Sequence, residues 1–352
     1  MSSLPPEISR ELFMEWRAPR LGTTNPERLT NRVWAWIARD PEMNAWMANK
    51  HAGGPSSMGA GPCWCNNRFG QSRTELADGR VISLAGEHED YYDPDFFIYN
   101  DAIVEAPGGE LEIYGYPRDI FPPTDFHTAT VVADRIILVG SLGYAGQRGT
   151  ETQLLALDTR TLAMSRLEAT GESPGWLYKH TAELDAGSIV VRGGIRDGAD
   201  DLVENVDDYA LALDSMTWTR LTARKWTIWR VERADNRHGN LWRIRSFVTY
   251  PWTDEARRVA EIAEIGFEPD RDQYAARYTP PVEHASAARE DDDYNIVRIA
   301  VDGVIVRYTE SDATTIVIEG ELPERVVSAI IEDARAKLAT ITREPYVSRR
   351  VR

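Results

Sequence analysis

The chain has 352 residues, of which 42% are hydrophobic and 27% charged, enough for one large domain or two to three smaller ones with a sizeable core. Acids outnumber Lys and Arg by 56 to 40, and the net charge of −16 speaks against nucleic acid, whose binders use a basic stripe, while permitting a basic protein or a cation. No apolar run approaches the ~20 residues of a membrane-spanning helix, and the start MSSLPPEISRELF lacks a basic segment leading into an apolar one, so a cytoplasmic chain without membrane contact is expected.

Residues 1–62 read as a helical segment. Leu12, Phe13 and Trp16 form a short apolar stripe. Asn25 followed by Pro26 is a cap and first-turn pair for a helix carrying Leu29, Val33, Trp36 and Ile37, and Asp40 with Pro41 repeats the device ahead of Met43, Trp46 and Met47. Helices this rich in Trp want a surface to cover. Cys63 and Cys65 stand too close for an ordinary disulfide framework and lack two further ligands for a zinc site, which makes them small buried residues in a reducing compartment.

From residue 69 to 221 one pattern is written three times: RTELADGRVISLAG, HTATVVADRIILVG and HTAELDAGSIVVRGG. Aligning the closing glycines puts Thr74, Thr128 and Thr181 in register, preceded by Arg73, His127 and His180. A repeat of this size means stacked supersecondary units. In each, a polar strand, a tight turn and a Val/Ile/Leu-rich strand (Val81–Leu84, 136–139, 189–191) make a hairpin, a third strand follows a variable loop (98–101, 154–158, 209–214), and a fourth begins near 217–221 in the last copy.

Through Gly193, Gly194, Tyr209 and Trp218 the third copy resembles the kelch repeat, with a Gly pair after the second strand, a Tyr in the third and a Trp before the fourth. The first copy has AlaGly for the Gly pair, and the second keeps only Gly140. The resemblance covers roughly residues 69 to 225 and implies a β-propeller, used by this family most often for protein recognition and less often as an enzyme scaffold. The fold expected is mainly β: a small or open kelch-like propeller of bacterial type over 63–250, with N-terminal helices and a C-terminal sheet-and-helix unit. Three repeats are too few for a closed ring, so a degenerate fourth blade at 226–249, read as two strands, the small C-terminal sheet, or a second copy of the chain would complete it.

The loops after the second strands are unusually acidic. Residues 87–101 carry six acids and no Lys or Arg, and residues 197–214 carry seven and again none. Glu87, Glu89, Asp90, Asp93, Asp95, Asp197, Asp200, Asp201 and Glu204 are therefore expected to line one rim that attracts a basic protein. The same carboxylates, with Asp93 and Asp95 in DxD spacing, are the alternative ligands of a divalent metal; no EF-hand spacing is present. An enzyme is the other alternative, with Arg73, His127 and His180 meeting on the axis and His88 above them as a cationic, metal-binding or acid/base centre. Against it, a recurring polar residue in a repeat protein commonly serves the packing of neighbouring units.

Beyond the repeats, Thr253 and Asp254 start a helix stopped by Gly266, within a linker-like stretch, 251–294. Residues 295–352 read as a small α+β unit: a hairpin with Asp302 and Gly303 at its turn, a third strand near 314–319, a helix after Pro323, and a mobile basic tail, SRRVR. The expectation is a non-enzymatic protein-binding module without cofactor, one form of which is a neutraliser of a basic toxin.

Overall fold

The structure, a computed structural model, describes residues 4–55, 61–88, 96–197, 202–235, 237–290 and 295–352. The chain is mainly β, with several antiparallel sheets, and divides into two compact units, residues 1–223 and 224–352. No helix among the described residues is long and apolar enough to cross a membrane.

Three antiparallel meanders build the first unit. The first runs Ser72–Glu75, Val81–Leu84, Asp101–Glu105, Leu111–Gly115; the second Thr128–Val132, Arg135–Val139, Leu154–Asp158, Met164–Arg166; the third Thr181–Asp185, Ser188–Arg192, Tyr209–Ala212, Thr217–Arg220. Their first strands lie side by side, the second meander's between the other two. Period-two alternation explains the packing. Ile136, Leu138, Leu155 and Leu157 face the first meander's Ile82, Leu84 and Val104, while Ile137, Val139, Leu154 and Ala156 face the third's Ile189, Val191, Leu211 and Trp218. The unbroken apolar run Ile136–Ile137–Leu138–Val139 thus belongs to a sheet covered on both faces. In the first repeat the third strand is Asp101–Glu105, three residues later than the sequence suggested, because 97–98 pairs with Glu87–His88 instead.

Three short helices, α1 (Arg10–Trp16), α2 (Arg32–Ala38) and α3 (Ala45–His51), cover the outward face of the first meander, where Phe13, Trp34, Trp36, Ile37 and Met43 pack with Trp64, Tyr99, Ile103 and Ile113. Their caps are not the Pro-containing pairs. Asn31 accepts from Val33 and Trp34 N–H, and Asn44 accepts from Met47 N–H. Asn25 instead pairs like a backbone amide, donating to the Met164 carbonyl at 2.7 Å and accepting from its N–H at 2.8 Å.

The second unit is a six-stranded antiparallel sheet in the order Arg289–Glu290, Ile296–Val301, Val304–Glu310, Thr314–Ile318, Thr227–Arg233, Tyr346–Arg350. Helix α7 (Glu324–Thr342) packs Ile330, Ile331, Ala334 and Leu338 onto it together with α4 (Leu241–Thr249), α5 (Glu255–Ile265) and α6 (Arg271–Ala275). The Asp302 and Gly303 turn has φ of 49° and 81°, as a type I′ hairpin needs, and α5 carries its expected Asp254 cap and left-handed Gly266 stop.

Three sequence readings are corrected here. Residues 241–249 are a helix rather than a strand, since Leu241, Ile244, Phe247 and Val248 recur at helical spacing and bury together. Residues 226–249 form no fourth meander, because Thr227–Arg233 is an interior strand of the second unit's sheet. Ile265, Tyr274 and Tyr278 make 251–294 part of that unit's core, and the basic tail is an ordered strand on its edge.

Candidate binding face

The site is the end of the first unit where each first strand begins and each second strand ends. There Ala85 and Gly86, Gly140 and Ser141, and Gly193 and Gly194 occupy matching places: Ala85 N–H bonds the carbonyl of Asp101, which begins a third strand, and Gly140 N–H that of Gln153, which immediately precedes one. Gly194 has φ of 85°, and a Cβ on it would sit 2.6 Å from the Tyr178 carbonyl oxygen. That close turn sends the chain out across this end of the meanders.

Matching these pairs resets the register of the repeats. Ser72 lies opposite Leu84, Thr128 opposite Val139 and Thr181 opposite Arg192, so Ser72 rather than Thr74 is the counterpart of Thr128 and Thr181. One place is lost because Gly86 is the second residue of its pair, the other because the first hairpin turn holds an extra residue. Gln71 therefore stands where His127 and His180 stand, and Arg73 points away to Glu105 at 3.5 Å.

Each unit hands two hydrogen bonds to the one before it. Phe126 N–H donates to the Gly70 carbonyl and Lys179 N–H to that of Phe126, both at 2.9 Å, with all three residues at positive φ. Beside them His127 Nε2 meets Ser72 Oγ at 2.8 Å and His180 Nε2 meets Thr128 Oγ1 at 2.9 Å. Both imidazoles are buried. Burial first, then the neighbouring His180, holds the His127 pKa down to about 3, and burial holds that of His180 to about 4. They are neutral at pH 7, weak as bases, and not part of a cationic centre with Arg73. His88 is elsewhere, with Nδ1 3.9 Å from the buried thiol of Cys65.

The strand pairs that flank the two acid-rich segments take equivalent places. Glu87–His88 pairs with Phe97–Ile98 after the first repeat's turn, and Ile195–Asp197 pairs with Leu202–Glu204 after the third's. Glu89, Asp90, Asp93, Asp95, Asp200 and Asp201 lie outside the described residues. Several acids counted toward the rim are engaged within the fold: Asp101 by Arg68 at 2.5 Å, Asp197 by Arg148 at 3.2 Å and Asp207 by Arg220 at 2.6 Å. Glu87 is buried, so it is no exposed rim charge.

Asp125 is the residue that pattern reading missed. Fully buried, it accepts from Gly143 N–H at 2.7 Å and Ser141 Oγ at 3.2 Å through Oδ1, with Glu87 as its carboxyl neighbour. Burial pushes the Asp125 pKa up. Around it, Tyr144 O–H accepts from Ile98 N–H, Trp176 Nε1 donates to the Leu142 carbonyl, and burial raises Tyr178 to about 12. The one signal for Asp125 was its place two residues before His127, ahead of a recurring positive-φ residue. Among the described residues no three His, Cys, Asp or Glu side chains converge as a metal site.

No family model and no curated protein matches the chain. Among solved structures it has similarity to the structure of YjhT, at 15% identity and a TM-score of 0.30, over 45% of this chain and 51% of that one. The chain thus spans about half of the YjhT structure, and a likeness of that size carries no argument about function.

Proposed function

We propose that the first unit is an open kelch-like propeller of three blades, and that its mouth binds a basic protein without chemistry of its own. The observation that supports this reading is the matched placement of two short strand pairs, Glu87–His88 with Phe97–Ile98 and Ile195–Asp197 with Leu202–Glu204, between whose strands the sequence holds Glu89, Asp90, Asp93, Asp95, Asp200 and Asp201. Like-signed loops on one end attract an oppositely charged partner and discriminate against acidic ones. A neutraliser of a basic toxin is one form this takes. An open array is supported by the third meander's first strand, Thr181–Asp185, which is mostly exposed and polar, the property of a terminal unit rather than of one awaiting a neighbour. A metal-assisted enzyme built on His88, His127 and His180 gains nothing from the burial of His127 and His180 or from the separate bonding of the three.

The test compares the whole chain with a variant carrying Glu89→Lys, Asp90→Lys, Asp93→Lys, Asp200→Lys and Asp201→Lys as baits in extract of the native cell. The wild type should capture a basic protein at low salt and release it as salt rises, and the variant should fail to capture it. Equal capture by both would remove the rim from the account.

A further inference from the structure

On the outward face of the first meander lies a cavity of about 440 Å³ whose lining includes Arg39, Asn67, Gln71, Arg73, Ser83 and Glu105. Its position follows from the packing. Helices α1 to α3 cover the outer strands of this face, through Ile103 and Ile113, and leave the inner strands, where Arg73 stands opposite Ser83, under an open cleft.

The charge of the cleft runs against that of the chain. Arg68, in its wall, is buried and held by Asp101 through two bonds, of 2.5 and 3.0 Å, so it contributes no net charge. Arg73 and Glu105 form a loose pair at 3.5 Å with side chains 65% and 46% exposed, a contact that solvent largely screens and a better partner easily replaces. Arg39, at the C-terminal end of α2, is exposed and has no acid partner among the described residues. The cleft therefore keeps a cation available in a protein of net charge −16. Carboxamides from Asn67 and Gln71 and the Ser83 hydroxyl add neutral hydrogen-bonding groups, and Ile103 and Leu111 an apolar side. Its volume is that of an ordinary small-molecule site, for which ~300–1,000 Å³ is usual.

We infer that this cleft binds a small anion, a carboxylate or a phosphate on a compact polar body, with Arg39 and Arg73 as its charged contacts. A guanidinium presents two parallel N–H donors to either group, which a screened surface arginine uses only when walls exclude water around it. The inference uses none of the acids proposed for the rim and does not depend on a protein partner there.

Thermal melting of the full chain at constant ionic strength tests it, with sodium phosphate and sodium acetate as probes and chloride as the reference. Phosphate or acetate should raise the melting temperature with a saturable dose dependence, and which of the two does so identifies the anionic group. Arg39→Gln and Arg73→Gln should each weaken the apparent affinity about tenfold, as loss of a charge-assisted bond does, while their melting in chloride stays near that of the wild type. Arg135→Gln, on the second meander, should leave the response intact. No rise above chloride with either anion would overturn the inference, and so would an equal loss in Arg135→Gln.

Discussion

His180 Nε2 sits 2.9 Å from the hydroxyl of Thr128, and His127 Nε2 makes the same contact with Ser72 at 2.8 Å, so one bond is repeated between successive meanders. The histidine that the second and third repeats place before their first strands serves the repeat before it. Thr128→Val keeps the shape and leaves the His180 nitrogen buried and unbonded. The expected cost is about 1–3 kcal/mol, read from the denaturant midpoint of the first unit's transition, whereas Thr181→Val, whose hydroxyl donates only to its own hairpin at 3.3 Å, should cost clearly less.

The same histidines make stability depend on acid. Their folded pKa values, about 3 and about 4, lie below the ordinary 6.5, so between those limits the unfolded chain binds protons that the folded chain refuses. Stability should fall as pH drops from about 6.5 toward 4 and change little above it. The pair of substitutions His127→Gln and His180→Gln should flatten that fall, as measured by melting temperature against pH; an unchanged slope would mean the imidazoles are solvated.

Asp125 has the opposite sign. Its raised folded pKa means that the contribution is fully present at low pH and is lost as pH rises through the folded value. Asp125→Asn retains an acceptor for Gly143 N–H and Ser141 and puts no charge into the buried site at any pH. It should therefore be neutral or stabilising at pH 8 and lose that advantage near pH 4, again by melting temperature.

Much of this was legible before the structure, for reasons that residues make plain. Hairpin turns, the acidic third-strand ends at Asp158 and the β-patterned runs are local signals, and they located three copies of one unit. What failed was register, because anchoring on Gly86 treated the second residue of a pair as the first and hid an extra turn residue, turning Gln71 and Ser72 into Arg73 and Thr74. Asp125 was invisible because its role depends on Glu87, 38 residues earlier in the numbering, and no local pattern encodes that meeting. Residues 241–249 were misread since Trp242 and the β-favouring neighbours resemble a strand, while the buried Leu241, Ile244 and Phe247 keep a helical period.

Arg68 and Asp101 set the strongest stability prediction for the first unit. Asp101 accepts both guanidinium nitrogens and Trp64 Nε1 at 2.9 Å, and the guanidinium stacks 3.4 Å over Tyr99. Removing one partner of a buried pair strands the other's charge, at about 3–5 kcal/mol. Asp101→Asn should therefore destabilise the first unit by that order, and Arg68→Met with Asp101→Leu together should recover a good part of it. A double variant as unstable as the sum of the singles would show that the two side chains act independently.

The C-terminal strand gives a prediction for the second unit alone. Tyr346–Arg350 pairs along Trp229 to Arg233, and Tyr346 is buried in the core with Val231. Ending the chain at 345 exposes one edge of Thr227–Arg233, an interior strand, and uncovers that part of the core. In calorimetry one transition should drop in temperature while the transition of the first unit, which contains none of these residues, stays in place. Two unshifted transitions would mean that the tail contributes nothing to the sheet, and a common shift of both would mean that the units melt as one.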